Sequence, residues 1–270
     1  MKKITLSAEK TLLEIVSLDI LPISEGLVES ESSHIYYVNT DQFKKINKIL
    51  EKFTNKNISI KIEEQKIEKW HLAWKDSFKK FEIGKKLIIS PDWENIKTSK
   101  LHIKIKPGMA FGTGHHETTY LIMEQLLKKN LENKSVLDLG SGSGILSILA
   151  KKLGADKVTA VENDVDCEEN FNENISLNKL NDKVGFYLMD VFEWKDYNYD
   201  FIIANLNKNL IMNLLPIWST NNKPELLLSG LLVDDKSVIF KTVKELNYEI
   251  ESYAQKGEWI FVNIGKQSLS

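Results

Sequence analysis

The stretch Val136-Leu-Asp-Leu-Gly-Ser-Gly-Ser-Gly-Ile-Leu146 sets three glycines, Gly140, Gly142 and Gly144, immediately behind an apolar run. That pattern reads as a strand, a tight turn and the start of a helix, with the backbone free to approach a ligand closely. A dinucleotide-binding turn requires a further glycine where Ile145 stands, so a diphosphate fits poorly and a nicotinamide-dependent oxidoreductase is disfavoured. Asp138, two residues before the first glycine, would repel an anion and suits a ligand carrying a sulfonium and an amino group. Glu162 closes the next apolar run, 22 residues beyond Gly140, where a carboxylate can accept both hydroxyls of a ribose. Each such bond to a charged acceptor is worth about 1.5–3 kcal/mol. Asn205 follows Phe201-Ile-Ile-Ala204, and its amide carbonyl can accept from an amine and aim the nitrogen lone pair. The chemistry these residues could perform together is transfer of a methyl group from S-adenosylmethionine to an amine. The plainer alternatives are a solvated acid at a strand end for Glu162 and a turn-forming amide for Asn205.

Other groups carry less. Pro107-Gly-Met-Ala-Phe-Gly-Thr-Gly-His-His-Glu-Thr-Thr119 is a glycine-rich segment feeding a helix, but it lacks the lysine of a phosphate loop. His115 and His116 are adjacent, and no cluster of Cys or His elsewhere completes a metal site, so no metal is expected. Cys167 is flanked by Asp166, Glu168 and Glu169, which disfavour a thiolate and argue against a nucleophile. No general base stands out; a proton leaving an amine could pass to water through Asp138 or Glu117.

The elements that must position these residues form an alternation of strand and helix from Ser135 onward. Apolar runs at 136–139, 157–162, 184–189, 201–204 and 226–229 read as parallel strands with crossover helices from Ile145 and Asp166. The segments 248–254 and 259–264, joined through Lys256-Gly257, read as a closing hairpin that adds one antiparallel strand. The fold class expected for 101–270 is therefore α/β, a Rossmann-like domain of the class I methyltransferase type. Residues 1–68 read as βαββαβ, a small α+β ferredoxin-like domain, with a helix from Asp41 that sets Phe43, Ile46, Ile49, Leu50 and Phe53 on one face. Between them, 69–100 holds Trp70, Trp74, Phe78, Phe81 and Trp93, with Gly84 and Pro91 breaking the periodicity, and reads as a junction packed by aromatic rings.

Composition closes off several classes. The 270 residues carry 36 basic against 38 acidic side chains, a formal charge of −2, so no global field directs the chain to nucleic acid or membrane. Every basic residue other than histidine is Lys, which costs bidentate anion recognition. One cysteine cannot make an internal disulfide, and the N-terminus does not read as a signal peptide, so a reducing, cytoplasmic location is expected. The apolar stretches fall short of the roughly 20 residues that span a bilayer.

Taken in order along the chain, these residues resemble the PrmA family, the bacterial methyltransferases of large-subunit ribosomal protein L11. The likeness runs through Trp74 with Phe78, the stretch 88–93, Pro107–Thr119, Asp138–Ser147 continuing to Lys152-Leu-Gly-Ala155, Ala204-Asn205, Leu228-Ser-Gly-Leu-Leu232 and Glu258-Trp259. The resemblance implies S-adenosylmethionine as cofactor, held by Thr119, Gly140, Glu162 and Asn205, with Asn205 near the reacting centre. It implies ribosomal protein L11 as partner, free or on the large subunit, methylated on lysine side chains and an α-amino group. It also implies that the N-terminal domain recognises this protein, and a monomer with a mobile N-terminal domain is expected. The family's usual Thr-His-Pro-Thr-Thr reads His115-His116-Glu117-Thr118-Thr119 here, and Glu162 stands where Asp is common. Two other readings remain open: methylation of a different protein lysine or a small molecule, and a non-catalytic, cofactor-binding ribosome-assembly factor.

Overall fold

The structure is a computed structural model, described over residues 2–20, 23–24, 26–29, 32–38, 40–53, 57–64, 79–107, 114–220 and 224–266. Its contacts divide the chain into two compact units, Met1–Phe78 and Lys79–Ser270. Trp70, Trp74 and Phe78 of the expected aromatic junction lie outside the described residues.

The first unit runs β1 (Lys2–Ser7), α1 (Lys10–Ile20), β2 (Gly26–Glu29), β3 (Ser33–Val38), α2 (Thr40–Glu51) and β4 (Ser59–Glu64). Its four strands lie in the order β2-β3-β1-β4, every neighbouring pair antiparallel. Ile4 and Leu6 of β1 and His34, Tyr36 and Val38 of β3 alternate inward, the period-2 pattern of a sheet with one buried face. Ile46, Leu50 and Phe53 of the α2 stripe meet them, with Phe43 and Ile49 half-buried alongside. Burying one such aliphatic or aromatic side chain contributes about 1.5–3 kcal/mol. Ser17 Oγ reaches both His34 Nδ1 at 2.8 Å and Tyr36 Oη at 2.5 Å, so the polar atoms drawn into this core are hydrogen-bonded.

The second unit begins earlier than the expected domain start at residue 101. Phe81–Ile83 (β5), Leu87–Pro91 (β6) and Leu101–Ile105 (β7) form a three-stranded sheet, β5 antiparallel and β7 parallel to β6. Gly84, at φ 56, makes the β5–β6 turn. Then come α3 (Glu117–Leu126), β8 (Ser135–Leu139), α4 (Ile145–Lys152), β9 (Lys157–Glu162), α5 (Val165–Leu177), β10 (Gly185–Leu188), β11 (Phe201–Asn205), α6 (Lys208–Thr220), β12 (Glu225–Leu232), α7 (Lys236–Glu245), β13 (Tyr248–Lys256) and β14 (Trp259–Lys266).

Seven of these strands make one sheet in the order β10-β9-β8-β11-β12-β14-β13. β8 to β12 pair in parallel, whereas β14 runs antiparallel to both of its neighbours. The mostly parallel α/β sheet with a single reversed strand agrees with the sequence pattern. Leu137, Leu139, Ile202, Ala204, Leu226 and Leu228 are fully buried, as strands covered by helices on both faces require. The chain leaves β8 towards β9 on one side and returns at β11 on the other. Such a reversal opens a crevice at the carboxyl ends of β8 and β11, where α/β sheets bind ligands. Among the described residues, no helix is long and apolar enough to cross a membrane.

Candidate active site

A cleft of about 380 Å3 opens at that reversal, lined by Gly140 and Gly142 after β8, Glu162 to Asp164 after β9, Asp190 and Val191 after β10, and Asn205, Leu206 and Leu210 after β11. Its volume lies within the range of small-molecule sites. Four strand ends converge there, which explains why residues separated by up to 70 positions share one wall.

The glycine turn is held by its own backbone. Gly140 and Ser141 both donate to Val161 O, at 2.9 and 3.1 Å, and Gly144 donates to Ser141 O at 2.9 Å. Gly140 (φ 72), Gly142 (φ 49) and Gly144 (φ 80) all adopt the left-handed conformation, which other residues take at a cost. Two of them are also needed for space. A Cβ on Gly140 would meet Leu206 Cδ2 at 2.5 Å, and one on Gly144 would meet the Phe171 ring at 2.7 Å.

Glu162 is buried, and both of its oxygens take backbone amides: Oε2 from Gly142 at 2.8 Å, Oε1 from Asn163 at 2.9 Å and Asp164 at 3.1 Å. A carboxylate offers about four acceptor positions, so three fixed donors orient it and leave capacity facing the cleft. Asn205 Nδ2 donates to Thr119 Oγ1 at 3.1 Å, tying the end of β11 to the first turn of α3. His116 caps that turn, its Nδ1 lying 2.9 Å from Thr118 Oγ1 and its ring edge-on to Trp259 at 5.1 Å.

Not every expected residue lines the cleft. Asp138 has no exposed atom: Oδ2 accepts from Ser147 Oγ at 2.6 Å, and Oδ1 is buried without a partner among the described residues. Burial pushes its carboxyl up to about 7, with the Glu162 charge adding to the effect and the Ser147 bond opposing it. It braces β8 against α4 beneath the glycine turn and is not placed to pass a proton to water. Gly144 likewise starts α4 and packs on Phe171, away from the lining residues. Of the segment Pro107–Thr119, positions 108–113 lie outside the described residues.

Cys167 faces the cleft, and burial first, then the Glu162 and Asp164 charges, push its thiol up to about 12. It is a neutral apolar wall, as expected of a non-nucleophile. Asp190, Val191, Leu206 and Leu210 are cleft residues that the sequence reading passed over. The signal for the first two was available: Asp190 and Val191 come just after β10, one residue beyond its end, and strand ends are where such sheets place ligand contacts. Among the described residues, no three His, Cys, Asp or Glu side chains gather as metal ligands.

Beyond the cleft, the whole chain has relatives. A family model described as ribosomal protein L11 methyltransferase (PrmA) matches residues 4–267. The chain belongs to that family. A PrmA relative named ribosomal protein L11 methyltransferase, from Lactobacillus johnsonii, is 30% identical over 96% of this chain and 85% of its own length. One from Prochlorococcus marinus is 37% identical over 74% of this chain and 70% of its own. A crystal structure of ribosomal protein L11 methylase from Lactobacillus delbrueckii subsp. bulgaricus aligns with a TM-score of 0.65 at 28% identity, over 70% of this chain and all of that one. Membership in the PrmA family and the cleft at the sheet reversal are thus independent findings about the same chain.

Proposed function

We propose that this protein transfers methyl groups from S-adenosylmethionine to amino groups of ribosomal protein L11, on lysine side chains and the α-amine. The observation that carries the reading is the convergence of Glu162, the glycine turn and the Thr119–Asn205 pair on one cleft in a chain of the PrmA family. The cleft chemistry suits the donor. Glu162, held by three amides, keeps an acceptor position for a ribose hydroxyl. Val191, Leu206, Leu210 and the neutral Cys167 supply apolar wall for a base, and Gly140 and Gly142 let the chain approach closely.

Bound there, S-adenosylmethionine supplies a methyl group activated by a sulfonium leaving group. The protein's own part is to hold the acceptor. With its Nδ2 committed to Thr119, Asn205 has its carbonyl Oδ1 to accept an N–H from an incoming amine and aim the lone pair. That amine must arrive neutral, and a free lysine has a pKa of about 10.4. Partial exclusion of water in the cleft favours the uncharged form. As the nitrogen–carbon bond forms, the carbon–sulfur bond breaks and the extra proton leaves the nitrogen for water.

The order β4-β1-β3-β2 with two helices supports a ferredoxin-like N-terminal domain, covering roughly residues 1–68, that recognises the protein substrate. A ribosomal substrate supports a cytoplasmic reaction, and in this reading the protein acts as a monomer on L11, free or assembled.

Calorimetry with S-adenosylhomocysteine, and with NADH in parallel, tests the donor. The wild type is expected to bind the first and not the second, and Glu162→Ala to weaken binding at least about tenfold, from the loss of bonds to a charged acceptor. NADH binding, or unchanged affinity in the variant, would overturn the assignment of the cleft.

A further inference from the structure

Helix α5 and its C-cap carry Asn170, Asn174 and Asn178 at four-residue spacing, all buried, on the side facing β7. Their amides serve as a surrogate strand for the free edge of β7. Asn178 accepts from Lys104 N at 3.1 Å and donates to Lys104 O at 2.6 Å. Asn174 accepts from Lys106 N at 2.7 Å, and Asn170 donates to Lys106 O at 2.9 Å. Main-chain groups that a fourth strand would satisfy are satisfied by side chains instead.

Asn174 differs from the other two. Wholly enclosed, it turns its Nδ2 away from β7 and donates to Ser143 O at 2.9 Å, inside the glycine turn between Gly142 and Gly144. One amide therefore joins three segments. These are the turn that walls the cleft, the helix that follows Glu162, and the end of β7.

We infer that Asn174 is a positioning residue for the cofactor: it fixes the glycine turn relative to α5 and the end of β7, and so holds the turn where it walls the cleft. This rests on the reading of the cleft as the S-adenosylmethionine site. Asparagine is required chemically, since the site needs an acceptor on one side and a donor on the other. Aspartate keeps the acceptor for Lys106 N but sets a carboxylate oxygen against the Ser143 carbonyl.

The neighbouring asparagine supplies the control. Asn178→Asp makes the same chemical change at the C-cap of the same helix, against the same strand, at a side chain with no bond to the glycine turn. Both variants lose donors to backbone carbonyls, Ser143 O at position 174 and Lys104 O and Asn174 O at position 178, and both are expected to lower the melting temperature. Only Asn174→Asp is expected to weaken S-adenosylhomocysteine in calorimetry, by about tenfold from the lost bond and the opposed oxygens, with Asn178→Asp within about twofold of wild type. In steady-state assays the same split should fall on KM for S-adenosylmethionine, with KM for the methyl acceptor unmoved. Asn174→Ser, a milder change, is measured alongside and should fall between Asn174→Asp and wild type. Equal weakening in the 174 and 178 variants, or loss of melting temperature with affinity intact at 174, would reduce Asn174 to a fold-stabilising residue. A wild type that fails to bind S-adenosylhomocysteine would instead overturn the reading of the cleft, and this inference with it.

Discussion

Glu162 and Asp138 stand near the carboxyl ends of neighbouring strands and meet opposite fates, for a physical reason. Glu162 ends its strand and gains three amide donors, whereas Asp138 lies one residue inside the end of β8 and has only Ser147. Sequence shows the order of residues along a strand but not depth beneath the turn: Glu162, Asn205 and Asp138 are all expected at the ligand, and the structure brings the first two to the cleft while burying Asp138 below it. The depth has a measurable consequence. In the unfolded chain Asp138 loses its proton near pH 4, while burial holds it to about 7 in the fold. From pH 4 to 7 the folded state therefore binds a proton that the unfolded state does not. Stability from this group is full below that window, falls as pH rises through it and levels off above. Asp138→Asn keeps a neutral side chain at all pH values. Its melting temperature relative to wild type should climb between pH 4 and 7, by an amount corresponding to a few kcal/mol at most. Parallel melting curves for the two proteins would show that Asp138 does not titrate in this range.

At the scale of elements, the strand–helix alternation from residue 135 was legible because parallel strands read as continuous apolar runs between glycine and polar breaks. The sheet of β5, β6 and β7 was not. β5 has only three residues, and the aromatic side chains around it suggested a packed junction. Yet Leu101-His-Ile-Lys-Ile105 alternates as a strand should, and Gly84 marks the turn before Leu87. Also hidden from sequence was how β12 supports Asn205. Leu206 N donates to Ser229 O at 3.2 Å, and Gly230, at φ 85, lies so close that a Cβ there would come within 2.2 Å of Leu206 O. The register of β12 on β14 shifts between Leu228 and Leu231, at this point. Leu206 is thus clamped between Gly230 and Gly140, and Asn205 is held by the residue beside it. Gly230→Ala is expected to cost about 1–3 kcal/mol of stability through backbone strain. It should also lower kcat for methyl transfer by at least about tenfold, as displacement of Asn205 misaligns the amine. A variant that melts early but turns over normally would mean that this clamp serves the fold alone.

Across the whole molecule, composition describes a near-neutral chain, rich in lysine, with one cysteine, and the contacts divide it into two compact units. The catalytic unit could be read because its chemistry sits at strand ends, where type and spacing carry information. The N-terminal unit is held by alternating core positions such as Ile4, Leu6, Tyr36 and Val38, and a core pattern specifies packing without naming a partner. Substrate identity therefore rests on family membership and on experiment. The decisive measurement is intact-mass spectrometry of purified ribosomal protein L11 after incubation with this protein and S-adenosylmethionine, with Asn205→Ala in parallel. L11 is expected to gain mass in steps of about 14 Da with the wild type and to gain little or none with the variant, since the amine is then no longer aligned. L11 of unchanged mass, from a wild type that binds S-adenosylhomocysteine, would contradict the proposed substrate while leaving the cofactor cleft in place.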